Sequence, residues 1–280
     1  MTVFSKDNFD PQAQQLYSLP ALSMQLVDSF NDPNVEIETI EVQLKQDPAL
    51  VAHVLRVANS PFFGLTREIA SVREALVILG MATLKNMVTA SVLMKQFPNG
   101  NIGRFEVQRF WTHSLAVASG ASKLAKTVGA NADEAFICGL LHDIGHLVLA
   151  GGFQESYDAI IDYREENDCN SITGERAVLD CDHTEIGQRL ADSWNFPPSV
   201  QQSIRFHHAP AECPQEPTIA AVVCVADWIM KSVEAGVLFE GMEFDQIGPV
   251  LKLLRIKDDG LHDIATKFEE LFSEVSAFAA

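Results

Sequence analysis

The sequence is short of basic residues. Lys and Arg number 20 against 38 Asp and Glu, a formal charge of −18. So acidic a surface repels phosphate backbones and anionic headgroups. No local Lys/Arg patch offsets it, which argues against nucleic acid and membrane as partners. Cysteine is scarce too: Cys138, Cys169, Cys181, Cys213 and Cys224 are odd in number and hold no CxxC pair. They read as reduced thiols of a cytosolic protein rather than a disulfide framework. The opening MTVFSKDNFDPQ lacks the basic-then-apolar pattern of a signal peptide. The apolar run Ala220 to Met230 is too short to span a bilayer and contains Asp227. The expectation is a soluble, cytoplasmic protein. Repeats and low-complexity tracts are also absent, and the half before Phe97 holds no strand-like alternation of useful length.

What is present is a globular balance, 47% hydrophobic and 21% charged, patterned at helical spacing almost throughout. Pro20 suits the first turn of a helix carrying Leu22, Leu26, Val27 and Phe30, stopped by Asn31-Asp32-Pro33. Helices are expected next from Ile37 to Gln46, from Pro48 through Ala58, and from Val72 to Leu79 and Leu84 to Met94 across Gly80. Asn59 to Gly64 reads as a turn whose Phe62 and Phe63 plug the core. Phe97-Pro98-Asn99-Gly100-Asn101-Ile102-Gly103 is the clearest break. The layout expected is a loosely packed lead-in over 1–17, a helical lobe over 18–100, a second over 101–232 and a C-terminal helical extension over 233–280. The fold class is all-α, in two helical lobes.

The second lobe carries the chemistry. It should begin with a helix from about Phe105 to Val128, whose inner stripe of Phe110, Val117, Ala121 and Leu124 has His113 on or beside it. Phe136 to Ala150 reads as a mostly buried helix, marked by Ile137, Leu140, Leu141, Ile144, Leu147 and Val148, with His142 and Asp143 side by side within it. Burying a carboxylate against an imidazole is costly unless a charge, a metal or a hydrogen-bond network compensates. Helices are also expected over Tyr157 to Glu166 and Ile172 to Leu179. Asp182 can cap a helix whose one face holds His183, Ile186, Gly187, Leu190 and Trp194. Val200, Ile204, His207 and His208 lie together on the next. Thr218 to Lys231 is apolar nearly all round, which buries Asp227.

A single histidine on an apolar face is more often a hydrogen-bonded core residue, and His53, His146 and His262 can be read that way. The set weighs more than its members. His113, His142, Asp143, His183, His207, His208 and Asp227 exceed what one tetrahedral site needs and fit two ions sharing a carboxylate. Imidazole with carboxylate suits divalent zinc, iron, manganese or nickel.

The runs Trp111-Thr112-His113-Ser114, Gly139-Leu140-Leu141-His142-Asp143-Ile144-Gly145 and Ala226-Asp227 resemble the HD superfamily of metal-dependent phosphohydrolases. Leu19-Pro20-Ala21-Leu22, Gln46-Asp47-Pro48-Ala49-Leu50, Val57 through Gly64 and Ala75 through Gly80 narrow the resemblance to the HDOD family, HD-related output domains of bacterial signalling. Asp182 through Gly187, Trp194-Asn195-Phe196-Pro197 and His207-His208-Ala209-Pro210 fit it too. The resemblance implies an all-α fold whose C-terminal lobe is HD-like. It implies one ion on His113, His142, Asp143 and Asp227, and a second on His183, His207 and His208 with Asp143 bridging. Active phosphodiesterases of the related HD-GYP type carry a phosphate-binding lysine where this chain has His146, which becomes a candidate phosphate contact. Their GYP signature is replaced by Ala209-Pro210-Ala211-Glu212. The resemblance therefore implies a regulatory module with a protein partner, with a metal-dependent phosphohydrolase acting on a phosphate-bearing ligand as the rival and a di-iron oxygenase as a third option.

Overall fold

Local sequence chemistry sets most helix ends in this computed structural model, which describes residues 4, 9, 35–59, 67–96, 100–236, 244–256 and 264–273. These fall into two compact units, one drawn from Leu19–Pro98, the other from Asn99–Phe272 together with Phe4 and Phe9.

In the first unit, α1 (Ile37–Leu44), α2 (Pro48–Ala58), α3 (Val72–Leu79) and α4 (Met81–Gln96) enclose Ile40, Leu44, Leu50, Val54, Ile69 and Leu84. Ser71 caps α3 by accepting from the Glu74 amide. Gly80, at φ 84°, ends α3 and lets α4 set off on its own axis. Asn59 clamps the connection between α2 and α3, donating to Ile69 O and accepting from Ile69 N. The helix expected after Pro20, the aromatic turn from Ser60 to Gly64 and the break residues Phe97 to Asn99 lie outside the described residues.

The second unit opens with a two-strand antiparallel ribbon, β1 (Asn101–Ile102) and β2 (Phe105–Glu106). The helix expected from Phe105 thus starts two residues later. Among the described residues ten helices follow: α5 (Val107–Val128), α6 (Ala132–Leu141), α7 (Ile144–Gly152), α8 (Gln154–Asn167), α9 (Ser171–Leu179), α10 (His183–Ser193), α11 (Pro198–Phe206), α12 (Thr218–Glu234), α13 (Phe244–Leu253) and α14 over 264–273. A 3-10 turn, Pro210–Glu212, follows His207-His208. Asn131 caps α6 and Asp182 caps α10, each accepting two backbone amides. Pro198 occupies the first turn of α11, where its missing N–H is harmless.

The middle of this unit is α5 packed on both α6 and α12, with α11 against α6 and α12, and α10 against α7 and α11. Small residues permit the closest approach. A Cβ on Gly139 would sit 2.8 Å from the Ala118 Cα, so only glycine lets α6 lie this near α5. Of the lead-in, Phe4 and Phe9 are described: both are buried against Phe153 with ring centroids 5.2 and 5.9 Å away, and the Phe4 amide donates to Ser156. Among the described residues, the stretch long and apolar enough to cross a membrane is Ala132–Gly152. It is 83% buried inside the protein and interrupted at His142-Asp143.

Candidate metal centre

The helix expected from Phe136 to Ala150 is broken, and the break matters chemically. Neighbouring residues in a regular helix do not face each other. Here α6 ends at Leu141, and Asp143 at φ −103°, ψ 14° starts α7 on a new line. Beyond the turn α7 meets the start of α10: a Cβ on Gly145 would fall 2.0 Å from the His183 carbonyl oxygen. The break lets His142 Nε2 and Asp143 Oδ2 lie 3.2 Å apart.

All seven residues singled out in the sequence meet around this junction. His113 Nε2 lies 3.1 Å and His142 Nε2 3.6 Å from Asp227 Oδ1. Asp143 Oδ1 lies 3.2 Å from His183 Nε2 and 3.4 Å from His207 Nε2, and His208 Nε2 is 3.2 Å from His183 Nε2. They form two clusters, His113-His142-Asp227 and Asp143-His183-His207-His208, in each of which the ligand atoms lie within 4.8 Å of one another. Asp143 joins the two, one oxygen toward each. Six of the seven are buried; His208 is exposed, so the second cluster opens to solvent.

The imidazoles are held from behind. His142 Nδ1 donates to Gly139 O at 2.7 Å and His207 Nδ1 to Ile204 O at 2.8 Å. His183 Nδ1 donates to Glu175 Oε2 at 2.7 Å, and His113 Nδ1 to Glu234 Oε1 at 2.8 Å. Each outer acceptor fixes the tautomer and turns an Nε2 lone pair inward, the usual dress of metal-bound histidine. Inside, His142 Nε2, Asp143 Oδ1 and His207 Nε2 are buried without a hydrogen bond. Orphaned buried donors and acceptors of this kind call for a compensating group. The residues therefore fit one or two divalent ions.

The electrostatics agree. Burial opposes charge on His142, yet the adjoining Asp143 and Asp227 carboxylates outweigh it and raise its pKa to about 9. Burial is likewise overcome at His183, where Glu175 and Asp143 raise the pKa to about 10. Burial would raise Asp143 and Asp227 as well. The His142 charge prevails at Asp143 and the Lys231 charge at Asp227, holding both well below the usual range. Without an ion, protons on His142 and His183 balance the buried acids at neutral pH.

A ligating imidazole must first lose its proton. Ion uptake near pH 7 is therefore expected to release about two protons and to tighten as pH rises toward 9–10, the range in which these groups deprotonate unaided. Calorimetric titrations in buffers of different ionisation enthalpy measure the release. Uptake independent of pH between 6 and 9 would contradict the assignment of His142 and His183.

His146, a candidate phosphate contact from the sequence, stacks on His183 with centroids 4.2 Å apart, and its Nδ1 lies 3.4 Å from Glu175 Oε1. Burial and the His183 charge lower its pKa to about 4, so it is neutral at physiological pH. The His53 side chain and His262 lie outside the described residues.

Three residues escaped the sequence reading: Glu175, Glu234 and Lys231. Glu175 is 1% exposed, and it accepts from both the backbone amide and Nδ1 of His183. It stands on the apolar stripe of α9 between Ile172 and Leu179, and an acid at that spacing was the available signal. Lys231 and Glu234 follow Asp227 by four and seven residues, on its helix face; the Lys231 Nζ lies 2.7 Å from Asp227 Oδ2. Replacing Glu175 by Gln should weaken ion binding in the second cluster by roughly 10–100-fold and leave the first intact. The bound-ion ratio in dialysed protein reads this directly, and unchanged stoichiometry at limiting ion would refute it.

The profile of the HDOD domain family matches residues 16–210. The chain is 28% identical over 208 residues to an uncharacterized protein of Treponema pallidum (strain Nichols), covering 73% of this chain and 40% of that one. It is 29% identical over 125 residues to Ribonuclease Y of Mycoplasma mycoides, covering 45% and 23%. It thus spans less than half the length of these curated relatives. Among solved structures, a proposed phosphohydrolase of Shewanella amazonensis SB2B matches with TM-score 0.81 and 28% identity over 96% of this chain and 97% of that one. An HDOD domain protein of Geobacter sulfurreducens matches with TM-score 0.76 and 26% identity over 94% and 92%.

Proposed function

The chain belongs to the HDOD domain family, and on that premise we propose that it is a cytoplasmic signal-transduction module built around a two-ion His/Asp centre, relaying a state to a protein partner. One observation carries the metal reading: four imidazoles are anchored through Nδ1 on outer acceptors while their Nε2 atoms converge on Asp143 and Asp227. His113, His142, Asp143 and Asp227 would hold one ion, and His183, His207 and His208 the other, with Asp143 between. The ions would link α5, α10, α11, α12 and the α6–α7 junction into one state of the second unit. The regulatory reading is favoured because the group standing where a phosphate-binding lysine is expected is a neutral imidazole folded against His183.

A second reading, a metal-dependent phosphohydrolase, is supported by the open side of the second cluster. His208 is exposed there, and at the first cluster Lys231, 49% exposed, brings an ammonium to Asp227. Bound divalent ions supply acidified water for attack on phosphorus. In that case Lys231 would meet the charge of a phosphate ester and His146 would orient one of its oxygens. The chain's charge of −18 opposes RNA as the substrate.

Elemental analysis after reconstitution, followed by a manganese-supplemented screen of phosphate monoesters, nucleotides and cyclic dinucleotides, separates the readings. The module reading expects bound ion and no turnover. Turnover lost in Asp143→Ala with the fold intact would establish the enzyme instead. Protein that takes up no ion would remove both.

A further inference from the structure

His183 and His207 enter the second cluster from different helices, so its geometry depends on how α10 and α11 sit on each other. Apolar packing sets their separation: a Cβ on Gly187 would fall 2.9 Å from Ile204 Cγ2. Such contact is non-directional and resists sliding less than a hydrogen bond does. One side chain supplies two hydrogen bonds. Arg205, in the last turn of α11, reaches the first turn of α10, where Nη1 donates to Thr184 Oγ1 at 2.7 Å and Nη2 to Glu185 Oε1 at 3.2 Å.

The network continues around His183. The Thr184 hydroxyl donates to Asp182 Oδ1, which also accepts the Thr184 and Glu185 amides at 3.0 and 3.2 Å. Asp182 is fully buried, a position that a carboxylate holds only with such partners. Arg205 Nη1 stands 3.7 Å from its Oδ1, and Arg176 Nε donates to its Oδ2 at 2.9 Å. The residues before and after His183 are thus pinned from α9 and from α11. On the α11 side, Arg205 follows Ile204, whose carbonyl accepts from His207 Nδ1. One guanidinium therefore spans the backbones of the two histidines whose Nε2 atoms lie 3.2 and 3.4 Å from Asp143 Oδ1.

We propose that Arg205 is a positioning residue of the second cluster: by bridging α11 to the first turn of α10 it fixes the His183–His207 spacing that the second ion requires. This rests on the two-ion reading of the centre and goes beyond it, since the partners of Arg205 are Thr184, Glu185 and Asp182 rather than the ligands themselves.

Titration of the ion-free full chain with cobalt(II) tests it, because the visible absorption of that ion reports ligand number and geometry. Wild type should take up two equivalents. Arg205→Ala should keep one at wild-type affinity and weaken the other by roughly 10–100-fold, the effect expected of a group that orients ligands from behind. Ethylguanidine, the part of the side chain that alanine lacks, should restore the second equivalent and its absorption band, and ethylamine should not. A residue that only props up the fold gives no such rescue. Arg205→Lys keeps a cation beside Asp182 and decides the matter if Arg205→Ala fails to fold. Its ammonium lacks the planar fork that meets Thr184 and Glu185 together, so the same equivalent should weaken and its band shift. The proposal is overturned if both variants bind two equivalents as the wild type does, if the two equivalents weaken together, or if ethylguanidine restores nothing. Wild type that takes up no ion would overturn the two-ion reading itself, whereas two ions in wild type and in both variants would overturn this proposal alone.

Discussion

Protein carrying Asp143→Ala is expected to retain less than about a tenth of an equivalent of bound ion where the wild type holds close to two. Asp143 reaches both clusters, with Oδ2 3.2 Å from His142 Nε2 and Oδ1 3.2 and 3.4 Å from His183 and His207 Nε2. Its removal leaves imidazoles facing one another without the charge that would hold an ion between them. The same carboxylate helps raise the pKa of His142 to about 9. The variant should therefore also lose most of the proton release that accompanies ion uptake. Elemental analysis with circular dichroism as the folding control gives the result. A folded Asp143→Ala protein with a full complement of ion would show that the centre lies elsewhere.

The second large effect concerns backbone rather than charge. Gly145→Ala should destabilise the protein by roughly 2–4 kcal/mol and weaken ion binding in the second cluster. The new methyl would stand 2.0 Å from the His183 carbonyl oxygen and 2.8 Å from its carbon. Both are main-chain atoms, so no rotamer change relieves the contact. Either α7 or the start of α10 must move, and His183 leads α10. Gly129→Ala is an instructive comparison, because no atom lies within 4 Å of the added carbon there and only its left-handed backbone resists the change. It should be milder in stability and silent in ion content. Chemical denaturation and ion analysis of the two variants decide the point. A Gly145→Ala protein as stable as the wild type would mean that α7 and α10 are less tightly apposed than they stand here.

The ion-free protein should also respond to pH in a definite sense. His142 and His183 have raised folded-state pKa values, about 9 and about 10. The stability their protons contribute is fully present below the unfolded value near 6.5 and is lost as pH rises through the folded values. That loss on the alkaline side is the counterpart of the tighter ion binding expected there.

Much of this was legible in the sequence because burial has a period. Thr218 to Lys231 reads as apolar nearly all round, and Asp227 is buried within α12. Asp182 reads as a cap by residue type alone and caps α10. His113 follows from its place on the inner stripe of α5. What periodicity cannot show is where a helix stops for a tertiary reason. Phe136 to Ala150 keeps its apolar spacing straight through the break, while the backbone packed against the start of α7, that of His183, is distant in sequence. Gly145 bears the trace of that contact, but a glycine alone does not say what approaches it. Glu175 left a trace, an acid on the apolar stripe of α9, whereas Glu234 left none, because an acid that accepts from a histidine near the end of a helix has no spacing rule of its own. The burial of Phe4 and Phe9 on Phe153 was hidden by the polar residues around them.

The most direct test of the two-ion centre is the X-ray absorption spectrum of the reconstituted wild-type protein. A first shell of nitrogen and oxygen at roughly 2.0–2.2 Å, with the outer scattering of several imidazoles per ion, is the expected result. A shell of oxygen alone, or one containing cysteine sulfur at roughly 2.3 Å, would contradict it.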